Sequence, residues 1–150
     1  MQPLEHYTKR RKDDLSPSPS AGGSARHDYA IPVMKYWGTA CAYCGRDLAD
    51  GYESWLALSV DHVVPGCVLG AWGADRGNWI RSRANLVPCC RACNEFLNGY
   101  RVKAEAPVTE EAFLALRDRV LEEKREMALL RHQQEAAWFE QWRPTVSREA

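Results

Sequence analysis

At 150 residues, with 45% hydrophobic content and six tryptophans, the chain is sized for one modest domain, and a domain that small often needs a staple beyond its core. Its formal net charge of +0 excludes a global attraction to nucleic acid, so such a partner would have to meet a local basic surface. No stretch reaches the roughly 18 apolar residues of a membrane span, and the opening MQPLEHYTKRRKDD has no apolar segment of an export signal, so the six cysteines read as reduced thiols of a cytoplasmic protein.

In chain order, residues 1–28 carry a basic run, Lys9 to Lys12, and then a Ser/Pro/Gly stretch from Ser16 to Ser24. This composition buries too little apolar surface to offset its conformational entropy and predicts a disordered tail. From Tyr29 the text turns aromatic, and a helix is expected from near Pro32 to Gly38, delivering the chain to Cys41. Trp55 to Val60 alternates, with Leu56, Leu58 and Val60 on one face, as a strand running into Asp61 and His62. A Gly-rich connection, Gly66 to Gly77, leads to a second strand, Leu86 to Cys89, with Pro88 marking an edge or an end. Arg91 to about Tyr100 reads as a helix stopping near Gly99.

Beyond Pro107 comes the longest helix. Thr109 is placed to cap it, Glu110 and Glu111 complement its dipole, Phe113, Leu116, Val120, Met127 and Leu130 recur at near-helical spacing, and Pro144 ends it. From Thr109 to Trp142 it would measure roughly 50 Å, longer than a small domain is wide. Its first half is expected to clamp the core; dimerisation through Leu129, Ala136 and Trp138 is the alternative. The organisation is thus a small α+β domain at 29–103, a linker and long helix at 104–143 that packs on the core or a partner, and a tail at 144–150.

Two Cys-x-x-Cys pairs, Cys41/Cys44 and Cys90/Cys93, carry the first piece of chemistry. Each turn sets two thiolates side by side, and two facing turns make the four-sulfur tetrahedron that zinc prefers. With no open coordination position, such a zinc is structural, and its loss is expected to unfold the domain. Cys89 competes with Cys90 for the fourth place; Cys90 is preferred because its spacing to Cys93 repeats that of the first pair. Cys67 has no partner in the pattern and reads as a small, semi-buried apolar residue.

A strand ending in Asp61-His62-Val63-Val64-Pro65, then Asn85-Leu86-Val87-Pro88, then Cys90-x-x-Cys93-Asn94 opening a helix resembles the HNH endonuclease family with its ββα-metal fold. The resemblance covers about Cys41 to Gly99. It implies that His62 is the general base, that Asp61 and Asn94 hold a catalytic divalent cation, and that Asn85 steadies the loop and orients the histidine. Imidazole is suited to the task because its ordinary pKa of about 6.5 lets it take a proton from water near neutral pH. Many members carry histidine where this chain has Asn94, so the donor set is all oxygen, which suits Mg²⁺ or Mn²⁺. The family's frequent lysine before glycine is replaced by Asn98, leaving Arg91, Arg101 and Lys103 as candidates for phosphate contacts within a basic run that also includes Arg76, Arg81 and Arg83.

The expected activity is hydrolysis of DNA phosphodiester bonds, with phosphate contacts and therefore low sequence specificity. A monomer would nick; double-strand cleavage needs a dimer or two successive nicks. Two other classes stay open: a non-catalytic zinc module binding nucleic acid or protein, and a nuclease subunit of a phage packaging or bacterial defence assembly docked through the long helix.

Overall fold

A computed structural model describes residues 2–18 and 25–146, the side chains of residues 25–27, 144 and 146 excepted. The expectations for residues 19–24 and for 147–150 therefore fall outside the described residues. The helices are α1 (Leu4–Thr8), α2 (Ile31–Trp37), α3 (Tyr52–Leu56), α4 (Leu69–Trp72), α5 (Gly77–Ile80), α6 (Arg91–Leu97) and α7 (Glu110–Val146), and the strands are β1 (Leu58–His62) and β2 (Leu86–Cys90). Among the described residues no helix is long and apolar enough to cross a membrane.

The two strands pair antiparallel from Leu58 opposite Cys90 to His62 opposite Leu86, and β2 passes directly into α6. All five residues of β2 are buried, which explains why its side chains are apolar on both faces rather than alternating. Pro88 donates nothing to the ladder and needs no partner there; its carbonyl accepts from Ala42 N at 2.9 Å, bringing the first cysteine turn onto the edge of the sheet. Helix α2 packs on the sheet through Trp37, 2% exposed, whose indole Nε1 donates to Leu86 O at 2.7 Å. It stops at Gly38, where φ of 93° requires a residue without a Cβ.

The structure corrects two expectations for element bounds. Trp55 and Leu56 belong to α3, a helical turn closed by Trp55 N to Gly51 O at 2.9 Å; the strand begins only at Leu58, where pairing to β2 becomes available. The Gly66 to Gly77 connection is built of short helical turns around α4. Helix α7 runs through Pro144 to Val146.

The largest correction concerns residues 2–18, which are packed rather than disordered. Tyr7 is 1% exposed and donates to Ala40 O at 3.1 Å, while its own carbonyl accepts from Arg117 Nη1 at 2.5 Å. Arg10 forms a two-pronged pair with Asp118, at 2.6 and 3.3 Å, and buried Asp14 accepts from Tyr36 Oη at 2.5 Å. A buried aromatic ring and charge-assisted bonds to a preformed helix supply what the segment's composition alone does not.

Helix α7 is the spine against which this closes. Thr109 Oγ1 accepts from Ala112 N at 3.2 Å, capping its start. The buried stripe is Phe113, Leu116, Arg117, Val120, Leu121, Lys124 and Ala128, whereas Met127 and Leu130, assigned to the core by spacing, are 46% and 57% exposed. The 3.6-residue repeat is kept, but two of its seven places are cations.

Candidate metal centre

The four thiols of Cys41, Cys44, Cys90 and Cys93 converge, with all Sγ atoms within 4.8 Å of one another. Zinc–sulfur bonds of about 2.3 Å give a tetrahedron with edges of about 3.8 Å, and Cys44 Sγ lies 3.8 Å from Cys90 Sγ. The four cysteines are thus placed to hold a metal ion, and an all-thiolate set suits structural zinc. Cys90, rather than Cys89, completes the cluster because it faces the first turn: its amide donates to Cys41 Sγ at 3.3 Å.

Each turn is shaped locally. The first closes through Gly45 N to Cys41 O at 2.9 Å, and Gly45 takes the positive φ of 77° that this reversal requires. The second is the start of α6, where Cys90 Sγ accepts from Cys93 N at 3.5 Å, so the helix N-terminus favours the thiolate. Hydrogen bonding among the thiols, with Cys41 foremost, holds Cys44 and Cys90 below the ordinary thiol range and, through Cys44 and Cys41 in turn, Cys41 and Cys93 above it. A dication would take over from the shared protons. One further group reaches the cluster: His132 Nε2 of α7 lies 3.1 Å from Cys93 Sγ, its ring edge-on to Phe96. Cys67, expected half-buried, is exposed, because it sits in the turn after Pro65 and only Val68 of that turn points inward.

The second cluster lies at the end of β1. Both Asp61 and His62 belong to the strand, as its last two residues. On a flat strand adjacent side chains face opposite sides; the strong twist of two-stranded ribbons is what can turn neighbours toward one centre. Burial holds the His62 imidazole below its ordinary pKa, aided by Lys124 and Arg81 and opposed by Asp61. That direction favours the neutral ring near neutral pH, the form a proton acceptor requires.

Asn85 is fully buried and pins the chain that follows His62. Its Oδ1 accepts from Val64 N at 2.8 Å, its Nδ2 donates to Val64 O and Ile80 O at 2.9 Å each, and its carbonyl accepts from Val63 N at 2.8 Å. Asn94, on α6, donates through Nδ2 to Ser59 Oγ at 3.0 Å, tying the helix to β1 two residues before Asp61. That orientation commits the amide nitrogen and leaves the carbonyl oxygen as the atom a hard cation would use.

Asp61 is engaged in a way the sequence reading missed. Its Oδ2 accepts from Lys124 Nζ at 2.7 Å and from the Tyr43 hydroxyl. Tyr43 is buried within the first cysteine turn, and its phenol is pushed well above the usual value by burial and by the Asp61 charge, so it stays a donor. Lys124 is 2% exposed. A lysine falling on the buried stripe of an otherwise apolar helix was the available signal, since a cation there requires an anionic partner.

The proposed phosphate-binding residues separate into two places. Arg91 lines a cavity of about 330 Å³ with Leu56, Leu58, Ser59, Asn94 and Glu95 and pairs at 3.5 Å with Glu95. Arg101 and Lys103 line a groove of about 580 Å³ with Tyr100, Arg119 and Glu123. Arg76 is tied to Asp75 and to Pro107 O, which removes it from the basic surface expected around the site.

Comparisons with protein-family models, curated proteins and solved structures give no match for this chain.

Proposed function

We propose that the protein is a metal-dependent HNH endonuclease that hydrolyses DNA phosphodiester bonds. The observation that carries this reading is the ordered arrangement at the sheet edge: Asp61 and His62 close β1, Asn85 pins the next two residues, and Asn94 on α6 bonds back to Ser59 of β1 at 3.0 Å. The zinc cluster fixes the junction of β2 and α6 and therefore the position of Asn94.

In this reading His62 accepts the proton of the attacking water, a contribution of about 10²- to 10⁴-fold. Asp61 and the carbonyl of Asn94 would hold Mg²⁺ or Mn²⁺, which supplies charge stabilisation at the scissile phosphate. Asn85 fixes the backbone on the exit side of His62. Arg91, beside Asn94, is the phosphate contact nearest the centre, while Arg101 and Lys103 would track the strand farther along, without reading bases.

The test is conversion of supercoiled plasmid by zinc-loaded protein with added Mg²⁺ or Mn²⁺, alongside a folded His62→Ala variant. Cleavage by the parent only, dependent on added metal and reduced at least 100-fold in the variant, is the expected result; equal cutting by both proteins, or cutting by neither, defeats the reading.

One observation favours a second reading, a non-catalytic zinc module that binds nucleic acid or protein. Asp61 already has two donors, Lys124 and Tyr43, as a bracing carboxylate would. Retention of DNA binding without cleavage would select it.

A further inference from the structure

Lys124 brings a fixed positive charge to the carboxylate on which a dication would have to bind. Its ammonium donates to Asp61 Oδ2 at 2.7 Å and to the carbonyl of His62 at 2.9 Å, and it lies 6.0 Å from the Tyr43 ring centre and 5.6 Å from that of Tyr100. Two oxygen acceptors and two aromatic faces account for a cation that is 2% exposed. The same contacts join α7 to the last two residues of β1, where the proposed chemistry falls.

We propose that Lys124 is the resident counter-ion of Asp61, occupying the carboxylate in place of a divalent cation, so that metal enters the centre only as the ammonium is displaced. The inference rests on the nuclease reading of Asp61. The Asp61 side chain is only 15% exposed. A carboxylate so far withdrawn from water is costly without a cation beside it, and an ammonium satisfies that need in the absence of metal. Once a dication arrives, the two positive charges compete for one carboxylate and repel each other in a weakly screened site. Lysine suits the exchange, being a point charge on a flexible four-carbon stem rather than a rigid fork. It also has somewhere to go: Tyr100, whose ring lies 5.6 Å from the ammonium, forms one wall of the groove that contains Glu123, the residue immediately before Lys124 in α7.

The proposal is tested by Mn²⁺ binding, read by electron paramagnetic resonance, to zinc-loaded parent, Lys124→Met, Lys124→Arg and the double variant Asp61→Asn/Lys124→Met. Thermal unfolding is followed with and without Mn²⁺. The expected result is Mn²⁺ affinity at least tenfold higher in Lys124→Met than in the parent, unchanged in Lys124→Arg and lost in the double variant. Mn²⁺ should raise the melting temperature of Lys124→Met more than that of the parent. A Lys124→Met protein that folds only with Mn²⁺ present supports the proposal equally, since metal then does the work of the ammonium. Measurable but equal affinity in parent and Lys124→Met overturns the inference and leaves the nuclease reading standing. Absence of Mn²⁺ binding in every folded protein overturns the nuclease reading itself. A Lys124→Met protein that folds neither with nor without Mn²⁺ also counts against the inference, because no divalent cation could then replace the lysine.

Discussion

The two halves of α7 have similar polar compositions and opposite fates. From Phe113 to Ala128 the helix buries a continuous stripe and contributes Arg117 to the backbone of Tyr7 and Lys124 to Asp61. From Ala136 to Arg143 it is exposed all round, with Trp138, Phe139 and Trp142 each more than half open to solvent. His132, at the cysteine cluster, marks the border. Large apolar residues occur in both halves; only the first half also buries cations, Lys124 on Asp61 and Arg117 through Nη1 on the carbonyl of Tyr7.

The sharpest way to break this comparison is in the middle of the stripe. Leu121→Ala, at a fully buried position, should cost about 2–5 kcal/mol in urea unfolding, and a loss below about 1 kcal/mol would mean that the first half is not the clamp. At the border, His132→Ala removes the imidazole beside Cys93 Sγ. Groups that hydrogen-bond metal ligands typically contribute about 10- to 100-fold in affinity, so a fall of about tenfold in zinc affinity is expected by competition with a chromogenic chelator; unchanged affinity would place the border nearer Ala128. The smallest effect belongs to the far end. Trp142→Ser should change stability by less than about 0.5 kcal/mol, and a larger loss on dilution-sensitive unfolding would reveal that this face is covered by a second copy.

Much of the fold was legible because its signals are local. Two cysteine pairs at matched spacing, a capping Thr109, Gly38 after an aromatic run and the order of strand, strand and helix each follow from neighbouring residues. The misses share a different cause. Tyr7 stands alone in a polar segment, so no periodicity announces that it fills the core beside Trp37. Lys124 and Arg117 occupy core positions that a hydrophobic repeat cannot flag, and following apolar residues instead led to Met127 and Leu130. Trp55 and Leu56 alternate in sequence as a strand does, but pairing with β2 begins only at Leu58. At the candidate site, the identities of Asp61, His62, Asn85 and Asn94 were readable, whereas the donors to Asp61 arrive from residues 18 and 63 positions away and depend on tertiary packing.

The bond from Arg117 to the carbonyl of Tyr7 spans 110 positions, and it sets a timetable for synthesis. The segment around Tyr7 is made before α7, and although it also meets Tyr36 and Ala40, its docking surface is incomplete until α7 has followed. Contacts this distant in sequence slow folding, and a growing chain folds in the order in which its parts appear. The two cysteine turns and the strand pair can assemble during translation; the segment around Tyr7 is locked over them last.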